Sequence, residues 1–277
     1  MAQQYIYEMD VLRRLNVRVS GAPKAQPIVF AHGFGCDQNM WRFVAPHFEQ
    51  SYKVVLFDLA GAGAADPAAY EPDKYSRLDG YADDILEICA RLELSDVIFV
   101  GHSVSAMTGV LASLRVPGLF AHLVLIGPSP CYINGEGYFG GFDESDIAEL
   151  LDSLDSNYLG WSAAMAPAIM GNPDRPQLGQ ELTESFCRTD PEIARRFARV
   201  TFLSDNRGDL SKVSTPTLIL QCRNDAIAPV QVGQYVQQAI PNSSLTLLDA
   251  TGHCPHLSSP EETIEAIDAY LTAHTQS

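Results

Sequence analysis

Gly101-His102-Ser103-Val104-Ser105 lies between a mostly apolar run, Asp96 to Val100, and a stretch of small and aliphatic residues typical of a helix. This order predicts a strand, a sharp turn and a helix, with Ser103 held at the turn. A serine hydroxyl is a weak nucleophile until a turn exposes it and a neighbouring base takes its proton. The segment therefore indicates a nucleophilic serine on a strand-to-helix elbow.

The fifth position of this pattern departs from expectation, because Ser105 stands where glycine is usual. The residues at both ends of such a turn must be small so that the helix can pass close to the strand. Serine is small enough for that packing. The pentapeptide alone also fits an ordinary turn, so the hypothesis needs supporting residues in the right order.

An acid and a histidine follow two further predicted strands. The apolar run Thr217 to Cys222 leads to Asp225, and Leu245 to Leu248 leads to His253. The chain order serine, aspartate, histidine is that of the α/β-hydrolase fold. In such a triad His253 accepts the proton of Ser103, and Asp225 fixes the imidazole tautomer and stabilises its charged form.

Simpler interpretations exist for the acid and the histidine. Asp225 would be unremarkable as a solvated loop aspartate, and His256 is a second candidate base close to His253. Since His256 precedes a helix start with Ser259 as cap and Pro260 in the first turn, we expect it to pack rather than react. The segment 252–256 lacks the fourth ligand and paired spacing of a structural zinc site, so the sequence predicts no metal.

A glycine-flanked loop follows the first clear strand. The run Pro27 to Ala31 leads into His32-Gly33-Phe34-Gly35, whose backbone can approach a ligand closely. In this fold one amide of such a loop and the amide after the nucleophile form the oxyanion hole, here the N–H groups of Phe34 and Val104. A phosphate loop is a weaker interpretation because no Lys-Ser/Thr or dinucleotide pattern follows.

The alternation of strand and helix patterns predicts the α/β class, with a mostly parallel sheet flanked by helices. We expect strands near 26–31, 52–58, 96–100, 122–127, 216–222 and 244–249, and an additional edge strand over 15–19. Between Gly127 and Thr217 only helical signals occur, with starts at Asp143 or Ser145, near Ser156, near Pro176 and at Asp190-Pro191-Glu192. This insertion predicts a four-helix lid over 129–211, and a core formed by 1–128 and 212–277.

Four segments carry a resemblance to a known family. They are His32-Gly33-Phe34-Gly35-Cys36-Asp37-Gln38, Gly101-His102-Ser103-Val104-Ser105-Ala106-Met107, Gly127-Pro128-Ser129-Pro130-Cys131-Tyr132 and Gly252-His253-Cys254-Pro255-His256. The chain resembles the bacterial RsbQ stress-signalling hydrolases and their plant relatives, the karrikin and strigolactone receptors.

This resemblance implies a cofactor-independent hydrolase with a helical lid, in some members used as a small-molecule sensor. By resemblance, the triad is Ser103, Asp225 and His253, and the oxyanion amides are those of Phe34 and Val104. Family positions also place the side chains of Trp161, Phe186 and Phe202 at the substrate pocket.

Amino-acid composition limits the classes of partner that the protein is expected to bind. The 277 residues carry 34 acids against 18 bases, a net charge of −16, which disfavours nucleic acid binding. The only candidate basic patch is Arg188, Arg195, Arg196 and Arg199, which also fits the solvated face of one helix. Six cysteines without paired spacing indicate a reducing compartment, and the sequence shows neither a secretion signal nor a membrane span. We therefore expect a cytoplasmic protein without a membrane partner.

Two hypotheses for function remain open at this stage. The first is an enzyme that cleaves small apolar esters or lactones through an acyl-serine intermediate. The second is a sensor whose ligand turnover reshapes the lid for a protein partner. Because both need the same triad, the sequence does not separate them.

Overall fold

A seven-stranded sheet forms the centre of the computed structural model, which describes residues 10–275. The strands are β1 (Arg18–Gly21), β2 (Pro27–Ala31), β3 (Lys53–Leu56), β4 (Val97–His102), β5 (Phe120–Ile126), β6 (Thr217–Asn224) and β7 (Ser243–Thr251). Their order across the sheet is β1-β3-β2-β4-β5-β6-β7. Only β1 pairs in the antiparallel direction, with β3. The predicted fold class is confirmed.

The predicted edge strand exists but starts later than expected. The chain at 15–19 alternates in hydropathy, yet Leu15 is the buried C-cap of a short helix and Asn16 has a φ of 48°. That left-handed conformation does not occur in an extended strand. Strand pairing therefore begins only at Arg18.

Helices cover both faces of the sheet. Besides the four helices of the lid, they are α1 (Val11–Arg14), α2 (Ala45–Phe48), α3 (Leu78–Arg91), α4 (Val104–Arg115), α9 (Arg207–Leu210), α10 (Val230–Ala239), α11 (Pro255–Ser258) and α12 (Pro260–Thr275). Strand β2 shows why both faces need cover: Val29 packs into one hydrophobic core, and Ile28 and Phe30 pack into the other. A parallel strand buried on both sides is apolar throughout, which is the pattern that the sequence shows.

The inserted segment forms the four helices that we call the lid: α5 (Glu144–Ser156), α6 (Tyr158–Met170), α7 (Pro176–Arg188) and α8 (Pro191–Phe202). Their starts follow capping chemistry. Asp143 forms a capping box with Asp146, and Asp190 accepts hydrogen bonds from the first-turn amides of α8. These starts agree with the predicted ones, whereas the domain boundaries at 128/129 and 211/212 stay a prediction.

Ion pairs tie the lid to the core. The guanidinium of Arg42 binds both carboxylate oxygens of Glu181 on α7, at 2.7 and 2.8 Å. At the end of the same helix Arg188 pairs with Asp37 at 3.1 Å. The segment 37–42 directly follows the loop that carries Phe34, so these pairs hold the lid beside the predicted oxyanion loop.

The six cysteines are free thiols, and only Cys187 is exposed. Among residues 10–275 no helix combines the length and the apolar character needed to cross a membrane.

Candidate active site

Ser103 occupies a strained turn between β4 and α4. Its backbone has φ 57° and ψ −124°, a conformation that a residue with a side chain rarely adopts. The turn is tight, because a Cβ at Gly101 would lie 2.6 Å from the carbonyl oxygen of Ser105. The Ser105 hydroxyl donates a hydrogen bond to the carbonyl of His32. The extra polar group that serine brings to the usual glycine position is therefore satisfied. The turn presents the Ser103 side chain away from its own helix.

His253 and Asp225 complete a chain of hydrogen bonds from this serine. The Ser103 hydroxyl lies 2.8 Å from His253 Nε2, and His253 Nδ1 lies 2.7 Å from Asp225 Oδ2. The other oxygen, Oδ1, accepts the amides of Ile227 and Ala228 at 2.8 and 3.0 Å. Asp225 is therefore a buried, fixed acceptor rather than a solvated loop residue. With Nδ1–H donated to Asp225, the Nε2 lone pair faces the serine hydroxyl.

The loop that carries His253 is held by the lid and by β4. The His253 amide donates to the carbonyl of Ile169 on α6 at 2.8 Å, and the ring Nε2 of His102 donates to the His253 carbonyl at 2.8 Å. Gly252 is required because a Cβ there would lie 1.9 Å from the carbonyl oxygen of Met170. The position of the proposed base thus depends directly on the end of a lid helix.

The amides of Phe34 and Val104 are free to receive an oxyanion. Among the hydrogen bonds of residues 10–275, neither N–H has an acceptor in the protein. Phe34 is fixed by its ring, which packs against Phe186 and Phe202 with centroids 5.7 and 6.1 Å apart. The arrangement fits the expected pair of donors, and the assignment remains a proposal.

Ser103 lines a narrow apolar cavity. Its walls include Phe34, Cys36, His102, Ser103, Tyr132, Trp161, Met165, Ile169, Leu182, Phe186, Thr201, Phe202, Ile227, His253 and Cys254. All three predicted pocket residues are among them. The cavity volume is about 30 Å³, so a substrate must displace some of the wall side chains when it enters.

Tyr132 is a polar wall residue of this cavity for which the sequence predicts no role. Its side chain lines the same cavity as Ser103, and burial raises the pKa of Tyr132 to about 12. The phenol is therefore neutral and can donate a hydrogen bond next to the nucleophile. Tyr132 lies six residues beyond the end of β5, in a segment that carries the family resemblance but assigns no role to this side chain.

The remaining candidates lie outside this constellation. His256 is buried and stacks on Trp41, with ring centroids 4.5 Å apart, so it packs as expected. The four arginines of the candidate basic patch are each engaged by acids; Arg195 and Arg199, for example, both pair with Asp155. These pairs leave the patch close to electrically balanced.

Comparison with known proteins agrees with this geometry. Residues 28–266 match the model of the alpha/beta hydrolase family. The chain belongs to the alpha/beta hydrolase family. It is a hydrolase by family, and the predicted resemblance to the plant receptor hydrolases is confirmed by its curated relatives.

Two plant relatives and one solved structure show how far the likeness extends. Strigolactone esterase RMS3 of Pisum sativum is 40% identical over 95% of this chain and 98% of its own length. Karrikin insensitive 2 receptor CA of Petunia hybrida is 39% identical over 91% of this chain and 93% of its own. The structure of olei00960, a hydrolase from Oleispira antarctica, superposes with a TM-score of 0.92 at 41% identity, covering 95% and 96% of the two chains.

Proposed function

We propose that this hydrolase cleaves small apolar esters or lactones through an acyl-serine intermediate. The observation that carries the proposal is the Ser103 hydroxyl, which is hydrogen-bonded to His253 at 2.8 Å and lines a cavity with aromatic walls. The names of the plant and bacterial relatives, several of them esterases, support the same reaction class.

The reaction begins when Ser103 Oγ attacks the carbonyl carbon and His253 Nε2 takes the hydroxyl proton. The amides of Phe34 and Val104 then stabilise the negative oxygen of the tetrahedral intermediate. The intermediate collapses as His253 returns the proton to the leaving alkoxide, which departs from an ester and remains tethered in a lactone. A water activated by His253 hydrolyses the acyl-serine, and Asp225 stabilises the imidazolium in both halves.

The cavity limits the substrate to compact, uncharged acyl groups. Its walls are mostly aromatic and aliphatic, so a charged group would lose its hydration without gaining a partner. The small volume, about 30 Å³, also means that a longer acyl chain must displace more of the wall side chains.

Acyl chain length should therefore be discriminated strongly. Once the cavity is filled, each further methylene of a p-nitrophenyl ester series should lower kcat/KM by roughly 10- to 200-fold. This corresponds to about 1 to 3 kcal/mol of transition-state free energy. Phe202→Ala should shift the optimum to longer chains, because it removes a ring that packs on Tyr132 with centroids 5.0 Å apart. The measurement is kcat/KM for each ester with both proteins.

The matched control is Leu203→Ala, which alters the next residue. Leu203 is 53% exposed and lies outside the walls of the cavity, so its variant should keep the wild-type length profile. Equal rates for short and long chains in the wild type would contradict the compact pocket.

A sensor role is the second candidate, because the lid contacts the base directly. Asn172 donates to the carbonyl of Thr251 at 2.9 Å, and the amide of His253 bonds to Ile169 on α6. We call the segment 251–254, which carries His253, the catalytic loop. A ligand that moves this loop must therefore disturb the surface of α6, where a protein partner would bind. Karrikin insensitive 2 receptor proteins among the relatives support this role.

Melting curves distinguish the two candidates. A ligand that only binds raises Tm by mass action in both wild type and Ser103→Ala. A sensor predicts that a butenolide lactone lowers Tm of the wild type as it is turned over, and leaves Ser103→Ala stabilised or unchanged. Stabilisation of both proteins would contradict the sensor.

For either role we infer a cytoplasmic location, which suits six free thiols.

A further inference from the structure

Two histidines and a cysteine meet behind the proposed base. The ligand atoms of His102, Cys254 and His256 lie within 4.8 Å of one another, and all three side chains are buried. His102 ends β4, whereas Cys254 and His256 come from the start of α11. The sequence predicts no metal because the segment 252–256 lacks a fourth ligand and paired spacing. His102 joins this segment only in the folded chain, from about 150 residues away.

The ring nitrogens of this cluster are short of partners. His102 Nδ1 and both nitrogens of His256 are buried and have no hydrogen-bond partner. Leaving such a group unpaired in the interior costs about 1–3 kcal/mol. Three unpaired nitrogens in one place therefore need an explanation other than packing.

The protonation of His102 suits a metal ligand. Its Nε2 donates to the His253 carbonyl at 2.8 Å, so the proton is on Nε2 and the Nδ1 lone pair is free. Histidines that bind metals commonly donate their other ring N–H to a backbone carbonyl in this way.

We propose that His102, Cys254 and His256 form a binding site for a zinc ion. Two imidazoles and one thiolate are ligands that Zn²⁺ prefers over harder cations. With Zn–N near 2.0 Å and Zn–S near 2.3 Å, tetrahedral donors lie about 3.3–3.6 Å apart, so the cluster must close by about 1 Å. These three side chains leave the fourth position of a tetrahedral ion to water or to another small ligand.

Occupation of this site should inhibit hydrolysis. Cys254 is the next residue after His253 in the chain, and His102 donates a hydrogen bond to the His253 carbonyl. Closing the cluster around an ion would therefore displace His253 through both connections. This consequence rests on the proposed function, whereas the site itself does not. Binding is therefore measured separately from activity.

The test uses the full-length protein, stripped with a chelator and kept reduced with a phosphine so that Cys36 and Cys254 remain thiols. Titration with chelator-buffered Zn²⁺ should load one ion per chain, measured by elemental analysis after dialysis. Loading with Co²⁺ should give a thiolate-to-cobalt charge-transfer band. Cys254→Ala should weaken Zn²⁺ binding by at least about 100-fold and remove the band.

Cys187→Ala is the matched control, because it deletes the exposed thiol and should bind as the wild type does. His256→Phe, which keeps a ring on Trp41, should also lose the ion while its near-UV circular dichroism shows a folded protein. Absence of binding in the wild type, or equal binding in Cys254→Ala, would overturn the site. Binding without loss of hydrolysis would overturn only the inhibition.

Discussion

Ser103→Ala is expected to lower kcat/KM for a short acyl ester at least about 1,000-fold while leaving the fold intact. The variant removes the only atom that could form the acyl bond in the proposed mechanism. It removes little else, because the Ser103 side chain makes no cap for α4 and its hydroxyl bonds to His253. Steady-state rates and intact-mass spectra with a slowly deacylated ester measure the effect.

The mass spectrum should show an acyl adduct on the wild type and none on Ser103→Ala. Ser113→Ala serves as the control, since it deletes another buried hydroxyl on the same helix, one that donates to Val110 at 2.7 Å. That variant should acylate normally. A folded Ser103→Ala protein with wild-type turnover would refute the nucleophile.

Local chemistry made most of the fold and the triad predictable. Apolar runs of strand length set the sheet, and turn or cap residues set where helices begin, as Asp190 does for α8. Because parallel strands end at the same edge of a sheet, Ser103, Asp225 and His253 could be expected to converge from their chain order alone. The structure places them within hydrogen-bonding distance.

Contacts between distant segments could not be predicted in the same way. Periodicity tells which face of a helix is buried, but not which backbone atom of α6 meets the catalytic loop. The bond from His253 to Ile169, the hydroxyl of Tyr132 beside Ser103 and the approach of His102 to Cys254 all depend on how the lid and strands pack. Each contact joins two separate segments of the chain, so no single motif predicts it.

Asp225→Asn should reduce kcat by about 10,000-fold with little change in stability. The asparagine oxygen can still accept the amides of Ile227 and Ala228, so its amide nitrogen must face His253 Nδ1. That nitrogen donates, which forces the imidazole proton onto Nε2. The ring then has no lone pair for the Ser103 hydroxyl, and the nucleophile is not activated.

Asp249→Asn provides the matched comparison, because it makes the same substitution at the end of β7, close to the catalytic loop. The Asp249 side chain is 83% exposed and pairs only at the surface with Arg223, at 2.5 Å. Loss of an exposed pair changes stability by about 0–1 kcal/mol, so this variant should keep wild-type kcat. Single-turnover acylation measured for both variants separates the two sites. Fast acylation by Asp225→Asn, or an equal loss in Asp249→Asn, would show that the His253 tautomer does not control the reaction.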